Sequence, residues 1–380
     1  MPRYADFLSE AYQSHLQSRL APVPGVPGML LRGEPRGLEL GGALRFLAEL
    51  SRRLEGRLGE ILKRRAKDRA FVDERTRACH AWNRAHGVGV KDPAYRTVIG
   101  LEDSEGRVVV GPLRPDYARS GGANVAPIPA YLQGPHVTLF GPPDSARMAV
   151  NAMNAWHRKL KGEPPVVETL LAEVSHPPRW GADDEDSKTP LHGALVDAGV
   201  NLSACFERTL ETADAATGKV YRLAADHLSQ PIKRFPGLAL PSPFLFLDGR
   251  PVPLHLYDFA LHLFHHWSDP AALAFYVPKL ENEEEARYVH DMVEEAEALV
   301  AGAHPSYVKG SVRLLVVLEN PRAILRTHEI MDALYPYFAG ASLGWHDYLG
   351  STARLFREDG DYRIPVKADP EIVIKYIHAS

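Results

Sequence analysis

The chain has 380 residues, 24% of them charged, a formal net charge of −4 and two cysteines. That balance excludes bulk attraction to nucleic acid, and Cys79 and Cys205 are too few for a metal site or a disulfide framework, as in a reduced cytosol. No segment is apolar for long enough to cross a membrane and no signal peptide is evident, so a cytoplasmic protein is expected.

The stretch from Tyr4 to Leu20 has a helix-like mixture of acids, Gln and apolar residues, and residues 21–37, rich in Pro and Gly, read as a linker or surface arm. Long helices are predicted from there to about His86. Leu47, Leu50, Leu54, Leu58 and Ile61 form a buried stripe, which leaves the basic run Lys63, Arg64, Arg65, Lys67 and Arg69 as a solvated face. Val98-Ile99-Gly100 and Val108-Val109-Val110 flank an acidic turn and predict a hairpin. Strands are expected at Val137 to Phe140 and near Arg179, Ile232, Phe275, Val312 and Ser342. His262, His265 and His266 have helical spacing and could bind zinc, but without an evident acidic or cysteine partner they read as a packed or polar helix face. The acids Glu281, Glu283, Glu284 and Glu285 read as the first turn of a helix, where negative charge is favourable.

Residues 311–348 carry the most information, because they read as one βαβ unit. Val312 and Leu314 to Leu318 make a nearly continuous apolar run, as in a strand buried on both faces of a parallel sheet. It stops at Glu319. From Arg322 to Phe338 the residues Ile330, Leu334 and Phe338 recur at four-residue spacing and predict one helix, after which a second strand, Ala339 to His346, delivers Asp347. A right-handed crossover puts both strand ends at one sheet edge, so Glu319 and Asp347 should lie side by side there. Two carboxylates suit Mg²⁺, which otherwise keeps water and substrate oxygens as ligands. Gly340-Ala341-Ser342-Leu343-Gly344 also fits the nucleophile elbow of hydrolases, but only His346 and His378 follow it, neither in the expected surroundings.

Outward from this unit, the chain resembles the malate synthase family. Leu318-Glu319-Asn320 is similar to the family's Ile-Glu-Thr, and residues 340–348, ending Gly344-Trp345-His346-Asp347-Tyr348, to its Gly-Leu-Asn-Cys-Gly-Arg-Trp-Asp-Tyr. Tyr276-Val277-Pro278-Lys279-Leu280-Glu281 resembles Tyr-Leu-Pro-Lys-Met-Glu, and Tyr257-Asp258-Phe259-Ala260 resembles Phe-Asp-Phe-Gly. Gly141-Pro142 with Asn151-Ala152-Met153-Asn154 matches a Gly-Pro…Asn-Ala-Leu-Asn segment, and Asp183-Asp184-Glu185-Asp186-Ser187 an Asp-Phe-Glu-Asp-Ser segment. Lys233-Arg234-Phe235-Pro236-Gly237-Leu238-Ala239 falls on Val-Arg-Pro-Arg-Gly-Trp-His, keeping the first arginine and losing the second together with the Trp-His pair.

The resemblance implies an α/β fold, a TIM-type (β/α)8 barrel over residues 126–380 behind a mainly helical segment with a hairpin over 1–125. Residues 156–180 exceed the family norm and are expected to form a lid or surface loop. It further implies condensation of acetyl-CoA with glyoxylate, Mg²⁺ on Glu319 and Asp347, and Arg234 polarising the glyoxylate carbonyl. Asp183, Glu185 and Asp186 would support these groups, while Lys279, Gly344 and His346 would line the metal or substrate. By the same resemblance the sequence stops before the family's eighth strand, so the barrel reads as incomplete at its C-terminal end. The aspartate base of a following family domain has no counterpart here. A longer chain, a second chain or subunit that completes the site, and a changed reaction all stay open. The alternatives to synthesis are a related CoA-ester lyase or aldolase on the same metal-enolate platform, and a non-catalytic barrel.

Overall fold

A computed structural model describes residues 19–87, 98–113, 124–133, 138–157, 164–174, 176–185 and 191–356. The expected helix at the N-terminus, Asp186 and His378 lie outside them. In chain order the helices are α1 (Ala43–Arg53), α2 (Arg57–Ala85), α3 (Ala146–Met153), α4 (Pro165–Ala172), α5 (His192–Phe206), α6 (Leu254–His266), α7 (Glu283–Ala303), α8 (Pro321–Leu325), α9 (Thr327–Ala333) and α10 (Trp345–Phe356). The first six strands are β1 (Ala21–Pro22), β2 (Met29–Leu31), β3 (Thr138–Gly141), β4 (Arg179–Asp183), β5 (Glu211–Ala213) and β6 (Val220–Arg222). They are followed by β7 (Pro231–Arg234), β8 (Pro241–Leu247), β9 (Arg250–Pro253), β10 (Ala274–Val277), β11 (Arg313–Leu318) and β12 (Phe338–Leu343). Among the described residues no helix is long and apolar enough to cross a membrane.

The chain divides into two compact units, one formed by residues 1–55, 128–276 and 293–313, the other by 56–127, 277–292 and 314–380. In the first unit β3, β4, β7 and β10 lie side by side and parallel, with Asp183 opposite Arg234 and Arg234 opposite Tyr276. Every residue of β4, β7 and β10 is buried. This is why they read as short continuous runs: a parallel strand covered on both faces has no solvent face on which to alternate. Trp180, Ile232, Phe235, Phe259 and Phe275 fill the core around them. A separate antiparallel sheet runs in the order β1-β2-β8-β9. The 156–180 stretch holds the exposed helix α4.

In the second unit β11 and β12 pair in parallel, Val317 opposite Ser342 and Leu318 opposite Leu343. The expected helix over 322–338 is instead two short ones. α8 is started by Asn320, whose side chain accepts from the Arg322 N–H, and by Pro321 at its first position; α9 ends at Ala333, and a cis Tyr335–Pro336 bond precedes β12. Ile330 and Leu334 are buried as expected, but Phe338 is buried from a strand. β12 also stops earlier than expected, at Leu343, so Asp347 sits in the first turn of α10. The expected hairpin is reduced to one bridge, Glu102 with Val108, flanked by a bond from the Gly100 N–H to the Val110 carbonyl. The stripe from Leu47 to Ile61 is likewise split, because Gly56 at φ 80° separates α1 from α2.

Candidate active site

The residues singled out from the sequence follow the carboxyl ends of parallel strands, where loops of this architecture carry their chemistry. In the first unit Arg234 closes β7 and Asp183 closes β4. The buried guanidinium donates from Nη1 to Asp183 Oδ2 at 3.2 Å and from Nη2 to Glu185 Oε2 at 3.1 Å. Asp183 Oδ1 in turn accepts the Glu185 N–H at 3.0 Å, so the two acids are fixed to each other as well as to the arginine. The Phe140 ring lies under the guanidinium, 5.8 Å from its centre, within cation–π range. A planar fork held by two carboxylates has one orientation available to it.

The opposite face of the same strands holds a second charged group that the sequence reading passed over. The Lys233 ammonium is buried between Asp184, which it contacts directly, and Asp258 Oδ1 at 2.8 Å. Burial pushes the Asp184 carboxyl up to about 8 against the attraction of Lys233, and the Asp258 carboxyl is raised for the same reason. Burial works against the Lys233 charge too, but the two acids outweigh it and hold the ammonium protonated. One shared proton on the acids leaves the cluster neutral, the only cheap state for three ionisable groups out of water. The signal was present: Asp184 stands where the similar family segment has Phe and Lys233 where it has Val, two departures of opposite charge. Nearby His262 and His266 stack at 4.2 Å; burial lowers both, and His262 Nε2 bonds the Ala272 carbonyl, as packed neutral rings do.

In the second unit Glu319 and Asp347 meet the same residue. The Lys279 N–H donates to Glu319 Oε1 at 2.8 Å, and the Lys279 ammonium lies 3.0 Å from Asp347 Oδ2. Glu319 is 4% exposed, whereas the Lys279 and Asp347 side chains are about a third open to solvent, at 35% and 39%. The Asp347 position on the first turn of α10 suits a carboxylate. Gly344 makes the space. A Cβ there would stand 2.5 Å from Glu319 Cβ and 2.6 Å from its Oε2, and the Gly344 N–H is fixed to the Leu318 carbonyl at 2.9 Å. His346 is exposed beside Asp347 on the same turn. Ser342 lies inside β12 rather than on a strand-to-helix turn, which removes the nucleophile-elbow reading.

The basic run on α2 is a solvated face at Lys63, Lys67 and Arg69, which are exposed, but not at Arg65. Arg65 is buried and grips Glu285 with two bonds of 2.6 and 2.7 Å, while Arg69 bonds Glu281 at 2.8 Å. Arg322 joins Glu281 at 3.0 Å and Asp68 at 2.6 Å. Burial would raise the Glu281 carboxyl, but Arg69, Arg65 and Arg322 together hold it below the usual carboxylate range. Glu283, Glu284 and Glu285 do form the first turn of α7 as expected, yet Glu285 and its neighbour Glu281 serve as arginine anchors.

With this geometry in place, comparison with known proteins is specific. The family described as malate synthase, TIM barrel domain, matches residues 232–379, a span that holds Arg234, Lys279, Glu319 and Asp347. A malate synthase of Streptomyces clavuligerus is 31% identical over 84% of this chain and 50% of its own length. One of Oryza sativa subsp. japonica is 29% identical over 66% of this chain and 41% of its own, and a glyoxysomal malate synthase of Ricinus communis 26% identical over 85% and 48%. The chain therefore spans about half the length of these relatives or less.

Proposed function

Because this chain carries the TIM barrel domain of the malate synthase family, we propose that it provides the metal- and glyoxylate-holding part of a malate synthase-type site, in which acetyl-CoA, glyoxylate and water give malate and CoA. The observation that carries the reading is the convergence of Glu319 and Asp347 on Lys279. Their donor set fits Mg²⁺: both offer hard carboxylate oxygens, and the missing side chain of Gly344 lets the Glu319 carboxylate lie against its backbone. Glu319 and Asp347 would hold the ion, which when bound supplies Lewis acidity toward an α-oxo acid.

Arg234 is assigned to the substrate carbonyl oxygen, where a preoriented guanidinium stabilises negative charge as the carbon–carbon bond forms. Asp183 and Glu185 keep it in place and hold no metal in this reading. Removal of the thioester methyl proton calls for a carboxylate base, a role given to none of the residues placed here. The test is magnesium-dependent release of CoA thiol from acetyl-CoA with glyoxylate, accompanied by a titration of Mg²⁺ into the chain. Release that disappears in Glu319→Gln and Asp347→Asn supports the assignment; absence of both release and metal binding overturns it.

A CoA-ester lyase on the same platform is the second reading, favoured by one observation. Where the similar family segment continues Pro-Arg after its first arginine, this chain has Phe235 and Pro236, and Phe235 is fully buried against Phe259 and Phe275. Position 235 thus serves the core, and no second guanidinium follows Arg234 in the segment. Cleavage of malyl-CoA without synthesis would select this reading.

A further inference from the structure

The two carboxylates are set by a loop in an unusual conformation, and that loop is clamped by a helix outside the matched barrel segment. Lys279 has φ 56°, a left-handed value that costs a side-chain-bearing residue free energy and persists only where its surroundings enforce it. On its carbonyl side the loop is held by Arg65 of α2. Its Nη2 donates to the Lys279 carbonyl at 3.3 Å while Nε and Nη2 hold Glu285, and Glu285 Oε2 accepts the Glu281 N–H at 2.8 Å. One buried guanidinium and its carboxylate thus pin the backbone on both sides of Leu280. The turn so fixed aims the Lys279 N–H at Glu319 Oε1.

We propose that Arg65 is a positioning residue for the Glu319 and Asp347 site, acting through the left-handed backbone of Lys279. The inference rests on the assignment of those two carboxylates to a divalent cation, and it adds a requirement from the N-terminal helical segment. Arg69, one turn further along α2, provides the contrast: it bonds Glu281, and none of its bonds goes to Lys279.

The experiment is a titration of Mn²⁺, followed by its spin resonance signal, into the full chain and its Arg65→Met, Arg65→Lys and Arg69→Met variants, with thermal midpoints measured alongside. Partners that orient metal ligands typically change affinity tenfold or more, so Arg65→Met is expected to bind about tenfold more weakly. Arg65→Lys keeps the charge but cannot span Glu285 and the Lys279 carbonyl together, so it should fall between. Arg69→Met should lose stability and keep the affinity. If Arg65→Met fails to fold, Arg65→Lys decides by the same comparison. Wild-type affinity in the Arg65 variants, or an equal loss in Arg69→Met, overturns the inference alone. A wild-type chain that binds no Mn²⁺ overturns the site assignment and this inference with it.

Discussion

The backbone N–H of Lys279 donates to Glu319 Oε1 at 2.8 Å, although 40 positions separate the two residues in sequence. An amide donor aimed at a buried carboxylate compensates part of the cost of removing that charge from water. It also fixes which oxygen is engaged, and thereby the direction in which the other is presented. The ammonium of the same residue meets Asp347, so one lysine links both acids.

In the proposed site that ammonium would compete with a metal ion for Asp347 Oδ2. An exposed pair of this kind is worth about 0.2–1 kcal/mol. Lys279→Met, which keeps the backbone donor, is therefore expected to tighten Mg²⁺ or Mn²⁺ binding by up to about fivefold. Titration calorimetry checks this, and weaker binding would mean that the ammonium holds Asp347 for the ion instead of competing with it.

Gly344→Ala tests the space next to Glu319. The added methyl would fall 2.5 Å from Glu319 Cβ and 2.9 Å from Val317 Cγ1, both in well-packed surroundings, so the glutamate must move. Overpacking of this kind costs about 1–3 kcal/mol, and displaced ligand oxygens should weaken the metal by about tenfold or more. Denaturant midpoints and metal titration measure the two effects separately. An unchanged affinity would exclude Glu319 as a ligand.

How much of this was legible beforehand differs by residue. The buried parallel strands β4, β7, β10 and β11 lie where strands are expected, because full burial writes itself into local composition, whereas β3 and β12 are partly exposed. The Ile330, Leu334 and Phe338 spacing misled, since two packed residues of α9 and its end were followed by a third apolar residue that belongs to β12. The sequence puts Asp347 just past the end of a strand because nothing local reveals that Gly344, packed on Glu319, follows the last residue of β12. Arg65 was assigned to solvent because its partner Glu285 lies 220 positions away, beyond the reach of helical periodicity.

The buried Lys233 cluster makes a prediction about pH. The Asp184 carboxyl is raised in the fold to about 8, so between the unfolded carboxylate range near pH 4 and about pH 8 the folded chain binds more protons than the unfolded one. Stability from this group must then fall as pH rises through that window. Asp184→Asn removes the titration, and its stability relative to the natural chain should improve steadily from pH 5 to pH 8 in urea unfolding. Parallel curves would remove Asp184 as the proton holder. Lys233→Met, which leaves two acids facing each other, should cost about 3–5 kcal/mol at neutral pH and less in acid.

Arg234→Lys separates charge from geometry at the guanidinium. Lysine keeps the positive charge but cannot make the forked contacts to Asp183 Oδ2 and Glu185 Oε2, so its ammonium has no fixed direction. If the guanidinium stabilises charge that appears only as the carbon–carbon bond forms, kcat for thiol release should drop by about 10²–10³, while KM for glyoxylate changes far less. A rise in KM at constant kcat would instead identify Arg234 as a group that binds the ground state, and the developing charge would need another donor. Steady-state kinetics across a glyoxylate series at saturating acetyl-CoA distinguishes the two, because only a contact that strengthens along the reaction lowers kcat without a matching loss of substrate affinity.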